Sequence, residues 1–255
     1  WYRAFCVAFD RCGKSSFDVA DNVIDELESL AAWVEGVYVN WFLSETNRCW
    51  VNAAEEQWSK SGYVEGVPRQ RRFFDEFVVA GSKDVKRTLV IVSDALRFEV
   101  ADELAHRLEC ATAGTAELKS MHSVFPSITE FGMAALLPHH SMGLREADMA
   151  VFLDGDVPVA STEEREVALR RRKPKGRCIQ SKALLAEKRS ARKQLVGDAD
   201  VVYVYHNKID AVGEGFNTKH MGFDACETAI EDLVALVKSS INDLTISRVL
   251  ITAVH

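Results

Sequence analysis

Thr88-Leu-Val-Ile-Val-Ser-Asp94-Ala-Leu-Arg97 is the stretch that decides the fold of this chain. Thr88–Ser93 has the length and β-branched content of a strand buried on both faces, and the pattern over Ala95–Leu108 predicts a helix after it. An apolar run that ends in a carboxylate and turns into a helix places that carboxylate at the carboxyl edge of an open α/β sheet, where such sheets hold their sites. The same arrangement recurs downstream. Val201–Tyr205 runs into His206, Asp210 and Glu214, and Arg248–Ala253 runs into His255, with a helical pattern over Ala225–Ser239 between them. This alternation predicts an α/β fold: a mostly parallel sheet with helices on both faces.

The bulk numbers agree with that reading. At 255 residues, 47% hydrophobic and 27% charged, the chain is globular with enough apolar material for a sizeable core. A net charge of −7 excludes nucleic-acid binding driven by overall charge. One block stands against that trend: residues 170–193 carry eleven Lys/Arg and the single acid Glu187. It reads either as a solvated helix face or as a track for DNA phosphates or an acidic partner. The six cysteines are scattered without a CxxC pair, which fits reduced thiols in a cytoplasmic protein. No run is apolar enough to span a membrane, and nothing resembles a signal peptide. The chain starts at Trp1 and stops at His255 just past a strand, so the expectation is a piece of a longer protein, truncated at its C-terminus.

Two parts are expected. Residues 1–80 read as a helical segment, with helical spacing over Asp18–Val39, Asn40–Ser59 and Arg69–Val79, and with four of the five tryptophans between positions 33 and 58. Residues 81–255 read as the α/β domain, with a second strand at Ala116–His122 and a loop-rich stretch at Pro138–Glu163. Gly13-Lys14-Ser15 is not a phosphate-binding loop, because Ala8 stands where the upstream glycine is required and no buried strand precedes it.

The chemistry-bearing residues gather at the strand ends. Phe125-Pro-Ser-Ile-Thr129-Glu opens the helical stretch Phe131–Leu137, so Thr129 is expected near a helix N-terminus. A bland alternative exists for each residue. Asp94 and Thr129 (or Ser127) can be plain helix caps, Arg97 a surface ion pair, and His206 a strand-end hydrogen-bonding residue. Asp94, Thr129, Asp210 with Glu214, and His255 together are nevertheless the inventory of a two-metal phosphoryl-transfer site. Oxygen and imidazole donors suit Zn²⁺ or Mn²⁺, with Mg²⁺ as a further alternative.

Taken together, these segments resemble the PglZ domain of BREX phage-defence systems, a branch of the alkaline phosphatase superfamily. The resemblance is carried by Ser-Asp94-Ala-Leu-Arg97, by Pro126-Ser-Ile-Thr129 with Met-Ala-Ala-Leu-Leu-Pro138, and by Tyr205-His-Asn-Lys-Ile-Asp210-Ala-Val-Gly-Glu214. It implies an alkaline-phosphatase-like domain that hydrolyses a phosphate ester or a nucleotide or nucleic-acid substrate. Thr129 is then nucleophile and metal ligand, Asp94 and His255 share its ion, and Asp210 and Glu214 hold a second. One position departs from the pattern: the family's Thr-Ala-Asp-His is here Thr252-Ala-Val254-His255, so a carboxylate ligand is missing. That departure implies weakened metal binding, and it keeps open a non-catalytic scaffold that assembles a DNA-modifying defence complex. A sulfatase-like hydrolase is disfavoured, because the nucleophile position offers no cysteine.

Overall fold

The computed structural model describes residues 3–6, 8, 21–82, 85–145, 149–213 and 219–255. The chain divides into two compact units, Trp1–Gly66 with Gly215–Ala225, and Val67–Glu214 with Cys226–His255. The Gly13-Lys14-Ser15 stretch and Glu214 lie outside the described residues.

In the first unit, helix α1 (Asp21–Gly36) continues through a π-helical stretch, Val37–Leu43, into α2 (Ser44–Ser61). The junction residues Gly36 and Leu43 keep right-handed helical backbone angles, so the axis is unbroken. Gly62 ends it at φ 73°, a left-handed value that glycine adopts without a Cβ clash. Trp33, Trp41, Trp50 and Trp58 stand exposed along these helices.

The second unit is built on a four-stranded parallel sheet in the order β5 (Arg177–Gln180), β6 (Val201–His206), β1 (Thr88–Ser93), β7 (Arg248–Ala253). Each of the six residues of β1 and of β6 is buried, as expected of strands sandwiched between helices. Alternate side chains feed two cores. Val90, Val92, Tyr203 and Tyr205 face one with Phe73, Phe74 and Val78, with Ala134 of α4 (Thr129–Ala135), and with Leu169 of α5 (Thr162–Arg170). Leu89, Ile91, Val202 and Val204 face the other. They meet Val100 and Leu104 of α3 (Phe98–Ala111), Leu184 of α6 (Ser181–Ala186), Val196 of α7 (Arg189–Val196), and Ile230, Leu233 and Leu236 of α9 (Lys219–Leu244). The expected α/β sheet with helices on both faces is therefore the observed fold. This unit also takes in residues 67–80, because Phe73, Phe74 and Val78 are core residues.

Local expectations fared unevenly. The pattern over Arg69–Val79 folds as a 3₁₀ turn, Gln70–Arg72, followed by the π-helical stretch Phe74–Val79. Ala116–His122 is extended but joins no sheet, and its one ladder contact is a parallel bridge between His122 and Arg69. The loop-rich 138–163 stretch contains a small antiparallel sheet, β2 (Met142–Arg145), β3 (Ala150–Leu153) and β4 (Val157–Pro158). Its strands are two to four residues long, too short for alternation to mark them in the sequence.

The basic block is not one helix but the end of α5, a turn, β5, α6 and most of α7. Eight of its cations meet acids from elsewhere in this unit. Arg170 and Arg177 flank Glu166, Arg171 meets Asp156, Arg172 meets Asp75, Lys173 meets Asp200, Lys175 meets Asp198, and Arg189 and Arg192 share Asp243. The local charge imbalance of the sequence is thus largely neutralised by the tertiary fold.

Cys178 on β5 is buried, and loss of hydration pushes its thiol up to about 12, whereas Cys49 and Cys110 are exposed. Iodoacetamide at about pH 8 attacks thiolates, so it should alkylate Cys49 and Cys110 in the native protein and reach Cys178 only after denaturation. Peptide mapping of the labelled chain reads this out. Equal labelling of Cys178 and Cys110 would mean that β5 does not hold its place at the edge of the sheet.

Candidate functional site

Parallel pairing in register brings the carboxyl ends of β6, β1 and β7 side by side: Ser93 stands opposite both His206 and Ala253. The residue after each end is where side chains can leave the sheet. Asp94 follows β1 directly, Asp210 sits in α8 (Lys208–Gly213) just beyond β6, and His255 lies two residues past β7. Asp94 N–H donates to the His206 carbonyl at 2.9 Å, which extends the ladder by one rung and fixes the carboxylate at the rim.

Asp94 is almost completely buried, with 1% of its surface exposed. His255 Nδ1 lies 3.5 Å from Asp94 Oδ1, and the Ala95 N–H donates to the same oxygen at 3.0 Å. The Thr129 side chain also acts on the Asp94 carboxylate, favouring its charged form. Burial raises the pKa of this carboxyl most, with further upward pressure from Asp210, while His255, the Ala95 N–H and Thr129 pull it down. Of the five residues singled out in the sequence, His255 contacts Asp94, and Asp210 and Thr129 lie near enough to influence its carboxyl. The fifth, Glu214, is outside the described residues.

The capping alternatives do not describe this geometry. The residue flanking α3 is Arg97, not Asp94, and the residue flanking α4 is Ile128, with no side-chain cap at either helix. Thr129 is the first residue of its helix, one position inside the cap. Ala95 takes φ 57°, a left-handed value that costs a non-glycine residue about 1 kcal/mol or more. That turn swings the chain from β1 toward Arg97 within three residues. Arg97 is exposed, and it lines a groove with Phe98, Lys119 and His255.

Val254 does not share the rim. Its side chain is fully buried in the same core as Met133 and Phe74. α4 rides directly on this residue, because a Cβ at Gly132 would lie 2.6 Å from Val254 Cγ1 and closer still to its carbonyl oxygen. Glycine at 132 is therefore what allows α4 to lie against the strand end that carries His255.

His206 behaves as a strand-end hydrogen-bonding residue. Its Nδ1 pairs with Ser93 Oγ at 3.0 Å, and its Nε2 is 3.9 Å from Asp232 Oδ2. In the loop after α4, His140 is exposed, while His139 Nδ1 contacts the Leu137 carbonyl at 2.8 Å. Sequence reading missed Gln70, a buried residue of the 3₁₀ turn whose side chain reaches this edge. No pattern in the sequence marks it, because its partners lie 54 and 184 positions away.

The donors fit a cation in part. A buried carboxylate beside a hydroxyl and an imidazole leaves negative charge poorly hydrated, and such an oxygen and nitrogen set suits a divalent ion. Among the described residues, no three His, Cys, Asp or Glu side chains are grouped closely enough to hold a metal ion. No helix among them is long and apolar enough to cross a membrane.

Comparison with known proteins follows the same lines. A family model described as the BREX system PglZ alkaline phosphatase-like domain matches residues 73–255. The alkaline phosphatase-like protein BrxZ of Escherichia coli O9:H4 (strain HS) is 39% identical over 232 residues, 90% of this chain and 27% of that protein. The alkaline phosphatase-like protein PglZ of Bacillus cereus (strain H3081.97) is 34% identical over 254 residues, 100% of this chain and 28% of that protein. The chain thus spans little more than a quarter of the length of either relative.

Burial lowers the pKa of His206 below its ordinary 6.5, with Asp232 opposing the shift. The unfolded chain then takes up a proton before the folded one, so stability is full above pH 6.5 and falls as pH drops from 6.5 through the folded value. Thermal unfolding measured across that window should show a declining midpoint, with a shallower decline in His206→Gln. An identical slope in the two proteins would mean that His206 is not held neutral.

Proposed function

This chain belongs to the BREX PglZ family of alkaline-phosphatase-like domains, and from that premise we propose a metal-dependent phosphatase or phosphodiesterase domain of a phage-defence protein. The observation that supports this reading is the buried Asp94 carboxylate with His255 Nδ1 3.5 Å away, under the influence of Asp210 and Thr129. Asp94, Thr129 and His255 would hold one divalent ion, Zn²⁺ or alternatively Mn²⁺ or Mg²⁺, and Asp210 with Glu214 a second. When bound, such ions supply the positive charge that steadies the attacking and leaving oxygens of a phosphoryl transfer.

The chain's own residues do the rest. Asp94 would accept the Thr129 hydroxyl hydrogen and so aim Oγ into the rim. Thr129 Oγ then forms the bond to phosphorus as the ester oxygen leaves with the proton, and water later cleaves the phosphothreonine in the reverse sense. Arg97 and Lys119 line the groove beside His255 and can take the non-reacting oxygens of a phosphate ester, a nucleotide or a nucleic-acid backbone. Phe98, exposed in the same groove, offers an apolar face to the leaving group.

A second reading, in another class, is a non-catalytic scaffold that assembles a DNA-modifying defence complex in the cytoplasm. Val254 favours it, since a buried valine fills the position of a ligand. The basic block 170–193 remains its proposed contact for DNA or a complex partner. Lys182, Lys188 and Lys193 are the cations there for which no ion pair is seen among the described residues.

Two substitutions separate the readings. Thr129→Ala should abolish hydrolysis of an aryl phosphodiester by the full-length protein supplied with Zn²⁺ or Mn²⁺. Retained turnover would remove Thr129 as nucleophile. Val254→Asp places a carboxylate in the core beside Gly132, which without a cation should destabilise the protein by about 3 kcal/mol. If that position faces the ion held by Asp94 and His255, added Zn²⁺ or Mn²⁺ should restore much of the loss and bind at least ~10-fold more tightly than to the parent. A destabilisation that metal does not relieve would favour the scaffold.

A further inference from the structure

The ladder of β1 holds Asp94 and the end of β6, but it does not reach the other two arms of the rim. Pairing of β7 with β1 ends at Ala253, so Val254 and His255 lie beyond the last rung. Thr129 arrives from a different direction, on a segment that runs through His122 and Val124 before α4. Something must set the spacing of these two arms, because shared coordination tolerates displacements of only a few tenths of an ångström.

Gln70 is the side chain placed to do this. It is 2% exposed, and both ends of its amide are used. Nε2 donates to the Val254 carbonyl at 2.6 Å and, at longer range, to the Ala253 carbonyl at 3.4 Å. Oε1 accepts from the Val124 N–H at 3.0 Å. The backbone adds to the grip, as Gln70 N–H donates to the His122 carbonyl at 2.8 Å and His122 N–H to the Pro68 carbonyl at 2.8 Å. One primary amide thus spans the strand end that carries His255 and the segment that delivers Thr129.

The residue type follows from the partners. Bridging two carbonyls on one side and an N–H on the other requires a donor and an acceptor on the same rigid plane, which among side chains of this length only glutamine supplies. Glutamate has no hydrogen to give the carbonyls, and methionine can neither donate to them nor satisfy the Val124 N–H. A bare core contact would not need this polarity. A buried amide is worth keeping only where each of its atoms is satisfied, and here the groups that satisfy it are the backbones of the two unladdered arms.

We propose that Gln70 is a positioning residue for the Thr129–Asp94–His255 centre, acting through the Val254 carbonyl and the Val124 amide. This rests on the reading of that centre as a metal-dependent hydrolase. Removing Gln70 lets the β7 end and the Thr129 arm drift apart while the sheet and both cores remain.

The test measures metal affinity by calorimetric titration of the full-length protein with Mn²⁺ and Zn²⁺, alongside kcat and KM for an aryl phosphodiester. Gln70→Met keeps the volume and removes the bridge. Gln70→Asn keeps both polar groups on a stem one methylene too short to span the arms, and it stands in if the methionine variant fails to fold. Both should weaken metal binding about 10-fold, in the range seen when supports of ligands are removed, and should lower kcat with KM unchanged. Leu169→Ala, in the same core but away from the rim, should lose thermal stability and keep its metal affinity. Asp94→Asn tests the underlying reading: if it binds metal as the parent does, the centre itself is wrong. If Asp94→Asn loses metal while the folded Gln70 variants bind and turn over as the parent does, the positioning role is overturned and the centre stands.

Discussion

In-register parallel pairing through β1 is the constraint on which the rest of the structure depends. β1 is bonded on both sides, to β6 and to β7, with Ser93 level with His206 on one side and with Ala253 on the other. Parallel ladders leave no freedom in which ends come together: three strands that start level also finish level. Residues 94, 210 and 255 are far apart in the chain, yet they are delivered to one edge by hydrogen bonds that none of their side chains makes. The burial of β1 and β6 on both faces sets the ladder's strength, since slipping the register would move apolar side chains out of two cores at once.

That edge carries an electrostatic cost which the protein only partly offsets. Asp94 is buried, pressed upward by Asp210, and relieved by one backbone N–H, one hydroxyl and one histidine. Retaining a carboxylate in such surroundings is costly unless charge is supplied from outside the chain, which is the physical basis for reading the rim as a cation centre. Val254 works in the opposite direction. It gives its side chain to the core and its carbonyl to Gln70, so the strand end is held by packing and by an amide rather than by a second carboxylate. Gly132 completes the arrangement by letting α4 lie against that carbonyl.

The basic block shows how sequence charge and surface charge can differ. Read along the chain, residues 170–193 form a cationic run in an acidic protein. In the fold, Glu166 on the same helix as Arg170, and Asp156, Asp75, Asp198, Asp200 and Asp243 from elsewhere in the unit, meet it. Exposed pairs of this kind add little to stability, because water screens them well. Their effect is on recognition: a cation already facing a carboxylate offers less to a phosphate backbone than its formal charge suggests.

The sequence by itself determined the parallel α/β sheet, three of its four strands and the polar residues placed just after them. These follow from local features, namely β-branched runs buried on both faces and polar residues placed just after them, and such features survive being read one window at a time. Asp94, Asp210 and His255 were legible for that reason, and Thr129 because it opens an apolar helix. Only the tertiary structure decided that Thr129 lies inside its helix and does not cap it, that Val254 is a core residue, that acids shield the basic block, and that Gln70 ties the two free arms together. Most of these rest on contacts between residues remote in sequence, up to 184 positions apart for Gln70 and Val254. No periodicity records such a meeting, because it exists only once the ladder has brought the strand ends to one edge.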